Sequence, residues 1–143
     1  MMFSPGPDLC RRRLLLAGAA ALALPGLARA ADLRLDWTAR PLQLVMITTP
    51  GCYYCRMWRK EIGPGFAASP AGHVAPLVEV DLAGPFPDGL VFSRRPRLTP
   101  SFILMDHGTE IGRVEGYVGA RHFYPVLEDM MRRAGLILPA TLP

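Results

Sequence analysis

The sequence predicts an α/β domain in which a mixed central sheet is flanked by helices. Three observations lead to this fold class. Mostly apolar segments of strand length recur along the chain, at residues 42–48, 74–82 and 101–106. Apolar residues at helical spacing follow the first of these segments and return near the end of the chain. Breaks rich in glycine and proline separate the segments, and a length of 143 residues suits one domain.

The first strand and the first helix follow from this pattern. Residues 33–37 alternate in polarity, which predicts a short edge strand. Residues 42–48 (LQLVMIT) are mostly apolar and favour a buried strand. After a break at residues 49–51, three side chains recur at helical intervals, namely Cys55, Trp58 and Ile62. We expect this helix to end at residues 63–65 (GPG).

The middle of the chain predicts a second core strand and an irregular connection. Residues 74–82 (VAPLVEVDL) have the composition of a buried strand. Pro76 lies near its start, where a proline is tolerated. Residues 83–99 are rich in proline and glycine and predict a connection, with room for a short helix near residues 88–93.

The remaining segments predict a third strand, a hairpin and a closing helix. Residues 101–106 (SFILMD) are apolar, and after a turn at 107–109 residues 110–114 return antiparallel. Pro125 suits the first position of a helix and Gly135 its end. The inner stripe of that helix comprises Val126, Met130 and Ala134. Helices on both faces of the sheet are the simplest way to bury these stripes.

The first thirty residues resemble an export signal. Residues 11–13 (RRR) form a basic start, and residues 14–24 form an apolar run. Residues 28–30 (ARA) match the small-residue cleavage pattern, with the cut before Ala31. Eleven helical residues rise about 16 Å, which is short of a hydrocarbon core of about 30 Å, so an uncleaved anchor is the lesser alternative. The twin-arginine route and the general secretory route both remain open.

Removal of this leader changes the charge of the chain. The full chain carries 16 Lys and Arg against 12 Asp and Glu, a formal charge of +4. Residues 1–30 hold four arginines and one aspartate, so 12 basic and 11 acidic residues remain, a formal charge of +1. So small a charge predicts no nucleic-acid partner. We therefore expect a periplasmic domain of residues 31–143 that touches the membrane only if the leader persists.

The number and spacing of the cysteines indicate a redox-active dithiol. Cys10 leaves with the leader, and Cys52 and Cys55 remain as a C-x-x-C pair. Two cysteines cannot form a four-cysteine zinc site, and closing a four-residue loop adds little stability. Attachment of a c-type haem needs His after the second cysteine, where Arg56 stands. The pair therefore favours redox catalysis by the cysteines themselves, without a cofactor.

The place of the pair, between a strand and a helix, predicts which cysteine attacks. Cys52 falls at the helix N-terminus, where free N–H groups and the macrodipole stabilise a thiolate. Such sites lower a thiol pKa from about 8.5 to about 3.5–7.5. Cys55 lies one turn further on and towards the core, so we expect it to resolve the mixed disulfide. Arg56 is within reach of Cys52 to add to thiolate stability, whereas Arg59 and Lys60 suit a solvated helix face.

Other side chains near the motif allow two interpretations. Tyr53 and Tyr54 flank the sulfurs, where they would either contact a partner or simply pack. A histidine could complete a copper or zinc site with the two cysteines. Loop positions are the favoured interpretation for all three histidines, His73, His107 and His122. We predict no metal site.

Two motifs and the elements around them resemble one superfamily. Residues 50–55 (PGCYYC), between the first strand and helix, and residues 98–102 (LTPSF) together resemble the thioredoxin superfamily. The resemblance implies a thioredoxin-like fold in which a cis-proline precedes the third core strand and packs against the dithiol. Pro100 matches that proline by position, and an ordinary strand-entry proline is the alternative. With Pro100 cis, Thr99 would offer its backbone to a bound partner as an extra strand.

A longer set of motifs resembles the SoxS group within that superfamily. The segments that carry it are PGCYYCRMWRKEIGPGF, APLVEVDL and LTPSFILMDHGTEIGRVEGYVG, within residues 42–131. Members of this group are exported thioredoxin-like proteins of bacterial sulfur-oxidation systems. The resemblance implies a periplasmic reductase that keeps a thiol on a sulfur-carrier protein reactive.

The sequence departs from thioredoxin itself around the motif. Gly51 stands in place of a tryptophan, and two tyrosines stand in place of Gly-Pro between the cysteines. Met46 occupies the position of a buried aspartate. Because Met46 cannot take a proton, another group or water must deprotonate the second cysteine. Glu79 and Asp81 are candidates, although solvation at a strand end is the other interpretation for both.

The sequence leaves three functions to compare. The first is a thiol–disulfide reductase that acts on an exported partner with a disulfide or modified cysteine and is recharged by a membrane electron donor. The second is a disulfide oxidase or isomerase on the same fold. The reduction potential separates these two, since reductants lie near about −270 mV and strong oxidants near about −120 mV. The third is a metal-binding chaperone without catalysis.

Overall fold

A computed structural model of the chain describes residues 35–139, and the predicted leader of residues 1–30 lies outside them. Strands and helices follow the order β1, α1, α2, α3, β2, β3, β4, α4. Their bounds are β1 Leu42–Thr48, α1 Tyr53–Glu61, α2 Gly63–Phe66, α3 Pro70–Val74, β2 Leu77–Asp81, β3 Ser101–Asp106, β4 Thr109–Glu115 and α4 Ala120–Arg133. None of the helices in this range is long and apolar enough to cross a membrane.

The four strands form one mixed sheet in the order β2-β1-β3-β4. β1 pairs in parallel with β2 and antiparallel with β3, and β3 pairs antiparallel with β4. Ile47 lies opposite Ser101, and Ser101 lies opposite Glu115. The C-terminal ends of β1 and β4 and the start of β3 therefore meet at one edge of the sheet. This mixed sheet with its flanking helices confirms the predicted fold class.

One face of the sheet and the helices enclose an aromatic core. The rings of Trp58, Phe66, Phe102 and Phe123 lie with their centroids 4.9–6.4 Å apart. Each of these rings is buried, and Cys55 belongs to the same cluster. Buried aromatic side chains contribute a dominant share of the stabilising free energy of such a core. The core therefore fixes α1, which carries the cysteines, against the sheet and α4.

The opposite face of the sheet is covered by connecting segments instead of helices. Its buried strand side chains, among them Val45, Ile47 and Ile103, pack with Trp37, Phe86 and Phe92 from connecting segments. Within residues 35–139 the helices thus pack on one face, and the expectation of helices on both faces is corrected. The proline- and glycine-rich connection of residues 83–99 supplies apolar rings without the regular backbone that a helix needs.

The region between α1 and β2 also differs from the prediction. The predicted second strand begins later, at Leu77, because Val74 ends the helix α3. Ser69 caps α3 by accepting a hydrogen bond from the Gly72 N–H at 3.0 Å. The GPG sequence ends α1 as expected but also opens the short helix α2, in which Pro64 occupies a first-turn position that proline tolerates.

Three further local predictions were wrong. Pro125 lies inside α4, which begins at Ala120 after Gly119, whose φ is 84°. Burial of Phe123 in the core draws this earlier turn into the helix. Residues 88–93 contain an isolated bridge from Val91 to Thr109 and no helix. Residues 35–37, the described part of the predicted edge strand, are not a strand.

Candidate active site

Cys52 lies at the junction of β1 and α1. Its backbone is extended, and its Sγ accepts a hydrogen bond from the Cys55 N–H at 3.1 Å, which caps the helix. The preceding Gly51 has a φ of 80°, a conformation that a side chain would strain. The sulfur therefore lies against the free N–H groups of the first helical turn, where negative charge is stabilised.

The two cysteines are joined by a disulfide and differ in burial. Their Sγ atoms are bonded, with the Cα atoms 5.3 Å apart. Cys52 is half-buried, whereas Cys55 is 0% exposed within the aromatic core. A second protein can therefore reach the sulfur of Cys52, while the Cys55 sulfur is shielded.

The Thr99–Pro100 segment lies at the same edge of the sheet as this loop. Ser101 pairs with Ile47 near the end of β1, and the Pro100 carbonyl accepts a hydrogen bond from the Gly116 N–H at 2.8 Å. The Thr99–Pro100 peptide bond is cis. Neither the N–H nor the C=O of Thr99 makes a backbone hydrogen bond with any described residue. Both groups are therefore without a backbone partner within residues 35–139.

Two exposed tyrosines and an arginine lie in the first turn of α1, directly after the half-buried Cys52. Tyr53 and Tyr54 are 58% and 57% exposed, and their rings meet edge to face with centroids 5.3 Å apart. Neither ring is buried in the core, so the interpretation that Tyr54 simply packs loses its support. Arg56 donates a hydrogen bond to the Gly51 carbonyl at 3.0 Å and lies 5.8 Å from the Tyr53 ring centroid. Arg56 thus braces the loop that positions Cys52.

Arg59 is exposed, as the sequence predicts, but its guanidinium is held by two neighbouring strands. Its Nε donates to both carboxylate oxygens of Glu79, at 3.1 and 3.0 Å, and its Nη2 donates to Thr48 Oγ1 at 2.8 Å. The hydrogen bonds that Arg59 donates to Glu79 raise the pKa of Arg59 above its usual value. The guanidinium therefore joins α1 to both β1 and β2. Lys60, the next residue, is exposed as expected.

The structure also limits which group takes the proton of the second cysteine. Met46 is fully buried in the apolar core cluster that contains Cys55. Glu79 is engaged by Arg59, so its carboxylate is already a hydrogen-bond acceptor for another group. Asp81 instead lines a surface cavity of about 350 Å³ together with Cys52. Asp81 likewise accepts a hydrogen bond, from the Ala83 N–H at 3.0 Å, and Cys55 is not among the residues that line this cavity.

The histidines stay apart from the cysteines. His107 lies in the β3–β4 turn, with Nδ1 2.6 Å from Asp106 Oδ1. His73 belongs to α3 and His122 to α4, so the loop positions expected for these two histidines were wrong. Within residues 35–139, no group of three or more His, Cys, Asp and Glu side chains is placed to hold a metal ion.

Comparison with solved structures gives a close relative. The periplasmic thioredoxin SoxS from Paracoccus pantotrophus, in its reduced form, superimposes with a TM-score of 0.63 and 39% identity, over 65% of this chain and 98% of that chain. The chain belongs to the SoxS-type group of the thioredoxin superfamily. Thioredoxins from Fasciola hepatica and Malassezia sympodialis also align, with TM-scores of 0.44 and 0.42, identities of 14% and 19%, 64% of this chain covered in each case, and 82% and 76% of theirs. No protein-family model and no curated protein matches the sequence.

Membership of the superfamily gives the C-x-x-C pair its chemistry. A SoxS-type chain with a dithiol at the start of a helix is a thiol–disulfide oxidoreductase. The resemblance to the SoxS group that the sequence motifs predict is confirmed by the structure comparison.

Sequence reasoning missed several residues that shape the site. The bond of Arg59 to Glu79 joins residues 20 positions apart, a separation that no local pattern indicates. Local patterns also gave no indication of the groove lined by Arg94, Arg95 and Arg97, shortly before Thr99 in the sequence. Their clustering immediately before the LTPSF motif was a signal of positive charge alone.

Proposed function

We propose that this protein is a periplasmic reductase that acts on an exported partner bearing a disulfide or a modified cysteine. The observation that carries the proposal is the pairing of a half-buried Cys52 at a helix start with a fully buried Cys55. The similarity to a periplasmic thioredoxin SoxS supports the location. A sulfur-carrier protein is the partner that the resemblance to the SoxS group implies. In this proposal residues 1–30 are the export signal and residues 31–143 the thioredoxin-like domain.

Reduction of the partner proceeds in two displacements. The Cys52 thiolate attacks one sulfur of the partner's disulfide, so that a Cys52–partner disulfide forms and the other sulfur leaves as a thiolate that takes up a proton. The Cys55 thiolate then attacks the Cys52 sulfur and releases the partner's thiolate. Two electrons have passed to the partner, and the chain holds the Cys52–Cys55 disulfide seen in the structure.

The surroundings of the two sulfurs assign supporting roles. The N–H groups at the start of α1 stabilise the Cys52 thiolate, and Arg56 holds the loop through the Gly51 carbonyl. Thr99, before Pro100, pairs through its free backbone groups with an extended partner segment. Tyr53 and Tyr54 contact that partner from the helix side. A membrane electron donor supplies two electrons and two protons to reopen the disulfide.

A trapping experiment tests the order of attack. In a Cys55→Ser variant the mixed disulfide between Cys52 and the partner cannot be resolved, so it accumulates in the periplasm and can be identified by mass spectrometry. The matched Cys52→Ser variant keeps one thiol but is expected to capture nothing, because the remaining cysteine is buried. Equal trapping by both variants would contradict the assignment of attacking and resolving cysteines.

The direction of electron flow needs a separate measurement. A reductase has a reduction potential near that of thioredoxin, about −270 mV, whereas a strong disulfide oxidase lies near about −120 mV. We expect a value on the thioredoxin side when the protein is equilibrated with glutathione or dithiothreitol. A value near that of a strong oxidant would favour the oxidase instead.

A further inference from the structure

Three arginines line a groove directly before the Thr99–Pro100 segment. Arg94, Arg95 and Arg97, with Leu98 and Glu115, surround an open cavity of about 580 Å³. Glu115 ends β4 and pairs with Ser101, so the groove lies at the edge of the sheet where the dithiol loop also ends. The mechanism proposed above uses none of these charged side chains.

The backbone beneath the arginines is firmly held on the β4 side. The Arg94 carbonyl accepts a hydrogen bond from Arg113 Nη2 at 2.7 Å, and the Ser93 N–H donates to Glu110 Oε2 at 2.9 Å. Arg113 and Glu110 are themselves buried, with 7% and 6% of their side chains exposed. Pro96 is buried as well. The arginines therefore project from a fixed platform, which lowers the entropy cost of binding through them.

The groove has an excess of positive charge. Arg94 pairs with Glu115 at 2.9 Å, and that carboxylate also accepts from Arg113 at 3.2 Å. Arg95 lies 5.2 Å from the Phe86 ring centroid, and Arg97 is exposed. Neither Arg95 nor Arg97 forms an ion pair with a carboxylate among the described residues. Two guanidinium groups are therefore available to carboxylates of another molecule.

The same segment leaves its backbone unpaired. Arg97 and Thr99 make no backbone hydrogen bonds inside the described part of the chain, and the Leu98 carbonyl accepts only from Ser101 Oγ, at 2.8 Å. Leu98 itself is 56% exposed. A segment with free backbone groups and arginines beside them suits a peptide that pairs with it through its own backbone and carries negative charge.

We propose that the partner presents its reactive cysteine on an extended segment rich in Asp or Glu, and that Arg95 and Arg97 recognise those carboxylates. The inference rests on the proposed reductase function and adds the chemistry of its substrate. The segment pairs with Thr99 while the carboxylates meet the two guanidinium groups, so the partner sulfur is held beside Cys52. Attraction between the partner's carboxylates and these two guanidinium groups raises the association rate, and repulsion by the same groups disfavours basic partners.

Two probe peptides test this. Each carries one cysteine in a disulfide with the same uncharged fluorophore, and they differ only in having three Glu or three Gln residues on each side of the cysteine. The dithiothreitol-reduced protein, freed of the reagent, is mixed with each peptide in a stopped-flow instrument. Each rate constant is divided by that of dithiothreitol with the same peptide, which removes differences in intrinsic disulfide reactivity. We expect the acidic peptide to react about tenfold faster at low salt, and about twofold or less faster at 0.5 M NaCl.

Two double variants complete the test. Arg95→Gln with Arg97→Gln is expected to bring the rate ratio of acidic to neutral peptide to about two. Arg132→Gln with Arg133→Gln removes the same charge from the far end of α4 and is expected to keep the ratio near that of the unmodified protein. A ratio near one in the unmodified protein, or equal losses in the two double variants, would overturn the inference while leaving the reductase intact. Failure to reduce either peptide would instead overturn the proposed function, and this inference with it.

Discussion

Arg59 on α1 forms an ion pair with Glu79 on the edge strand β2, with its Nε 3.1 and 3.0 Å from the two carboxylate oxygens. The same guanidinium donates to Thr48 at the end of β1. One side chain thus ties the helix that carries Cys55 to two strands of the sheet. Both side chains are more than a third exposed, at 40% and 35%, so solvent screening limits the stability that the pair contributes.

We expect Arg59→Gln to lower the free energy of unfolding by about 1 kcal/mol, because a two-pronged ion pair and a hydrogen bond are lost together. Urea denaturation of the oxidised protein measures the effect. Lys60→Gln, which removes the same charge from the neighbouring exposed position, is expected to change stability by less than about 0.5 kcal/mol. Equal effects of the two substitutions would show that loss of positive charge, and not loss of the contact with Glu79, lowers the free energy of unfolding.

Glu110 links stability to pH. Burial raises the pKa of Glu110, but hydrogen bonds from Arg113 and from Ser93 outweigh it and hold the pKa below the usual 4.5. A carboxyl whose pKa is lowered by folding stabilises the protein at neutral pH, and this contribution is lost as the pH falls from about 4.5 through the folded-state pKa. We expect Glu110→Gln to cost about 2 kcal/mol at pH 7, because Arg113 then stays buried with only Glu115 as its carboxylate partner.

The pH dependence separates this effect from a general loss of packing. The difference between Glu110→Gln and the unmodified protein should shrink as the pH falls from about 4.5 through the lowered folded-state pKa of Glu110, below which the unmodified carboxyl is protonated too. Asp129→Asn, in the exposed pair with Arg133, is the matched control and should cost under about 0.5 kcal/mol at any pH. A loss for Glu110→Gln that stays constant with pH would contradict the role given to its charge.

Two glycines offer a test of packing between α2 and α3. A Cβ at Gly72 would lie 2.0 Å from the Phe66 carbonyl oxygen, and backbone cannot yield as a flexible side chain can. Gly72→Ala is therefore expected to cost about 3 kcal/mol. Gly65, in α2, has no atom within 4 Å of the same position, so Gly65→Ala should be neutral or stabilise by up to about 1 kcal/mol. Thermal unfolding of both variants measures the contrast, and similar melting temperatures would contradict it.

The sequence predicted strands and site residues correctly where the residues concerned are neighbours in the chain. The apolar run of residues 42–48, the C-x-x-C pair and the helix that follows are contiguous in sequence, so periodicity and spacing were sufficient. The prediction of a turn and hairpin after residue 106 was correct for the same reason. The resemblance to the thioredoxin superfamily then identified Pro100 as the proline expected beside the dithiol, which spacing alone could not do.

The features that sequence reasoning missed depend on contacts between distant segments. Pro125 favours a helix start locally, but Phe123 packs into the core and the helix begins five residues earlier, at Ala120. Residues 83–99 lack a regular period, and only the structure shows that their aromatic rings cover the second face of the sheet. The engagement of Arg59 by Glu79 likewise requires the β1–β2 pairing to exist first.

The pH dependence of alkylation of the reduced protein by iodoacetamide, resolved for each cysteine by mass spectrometry, tests the central claim most directly. Placement of Cys52 at the start of α1 predicts that it reacts first, with a midpoint well below the value of about 8.5 of a free thiol. The buried Cys55 should stay unmodified until the protein unfolds. Equal reaction of both cysteines, or a Cys52 midpoint at the free-thiol value, would contradict the account.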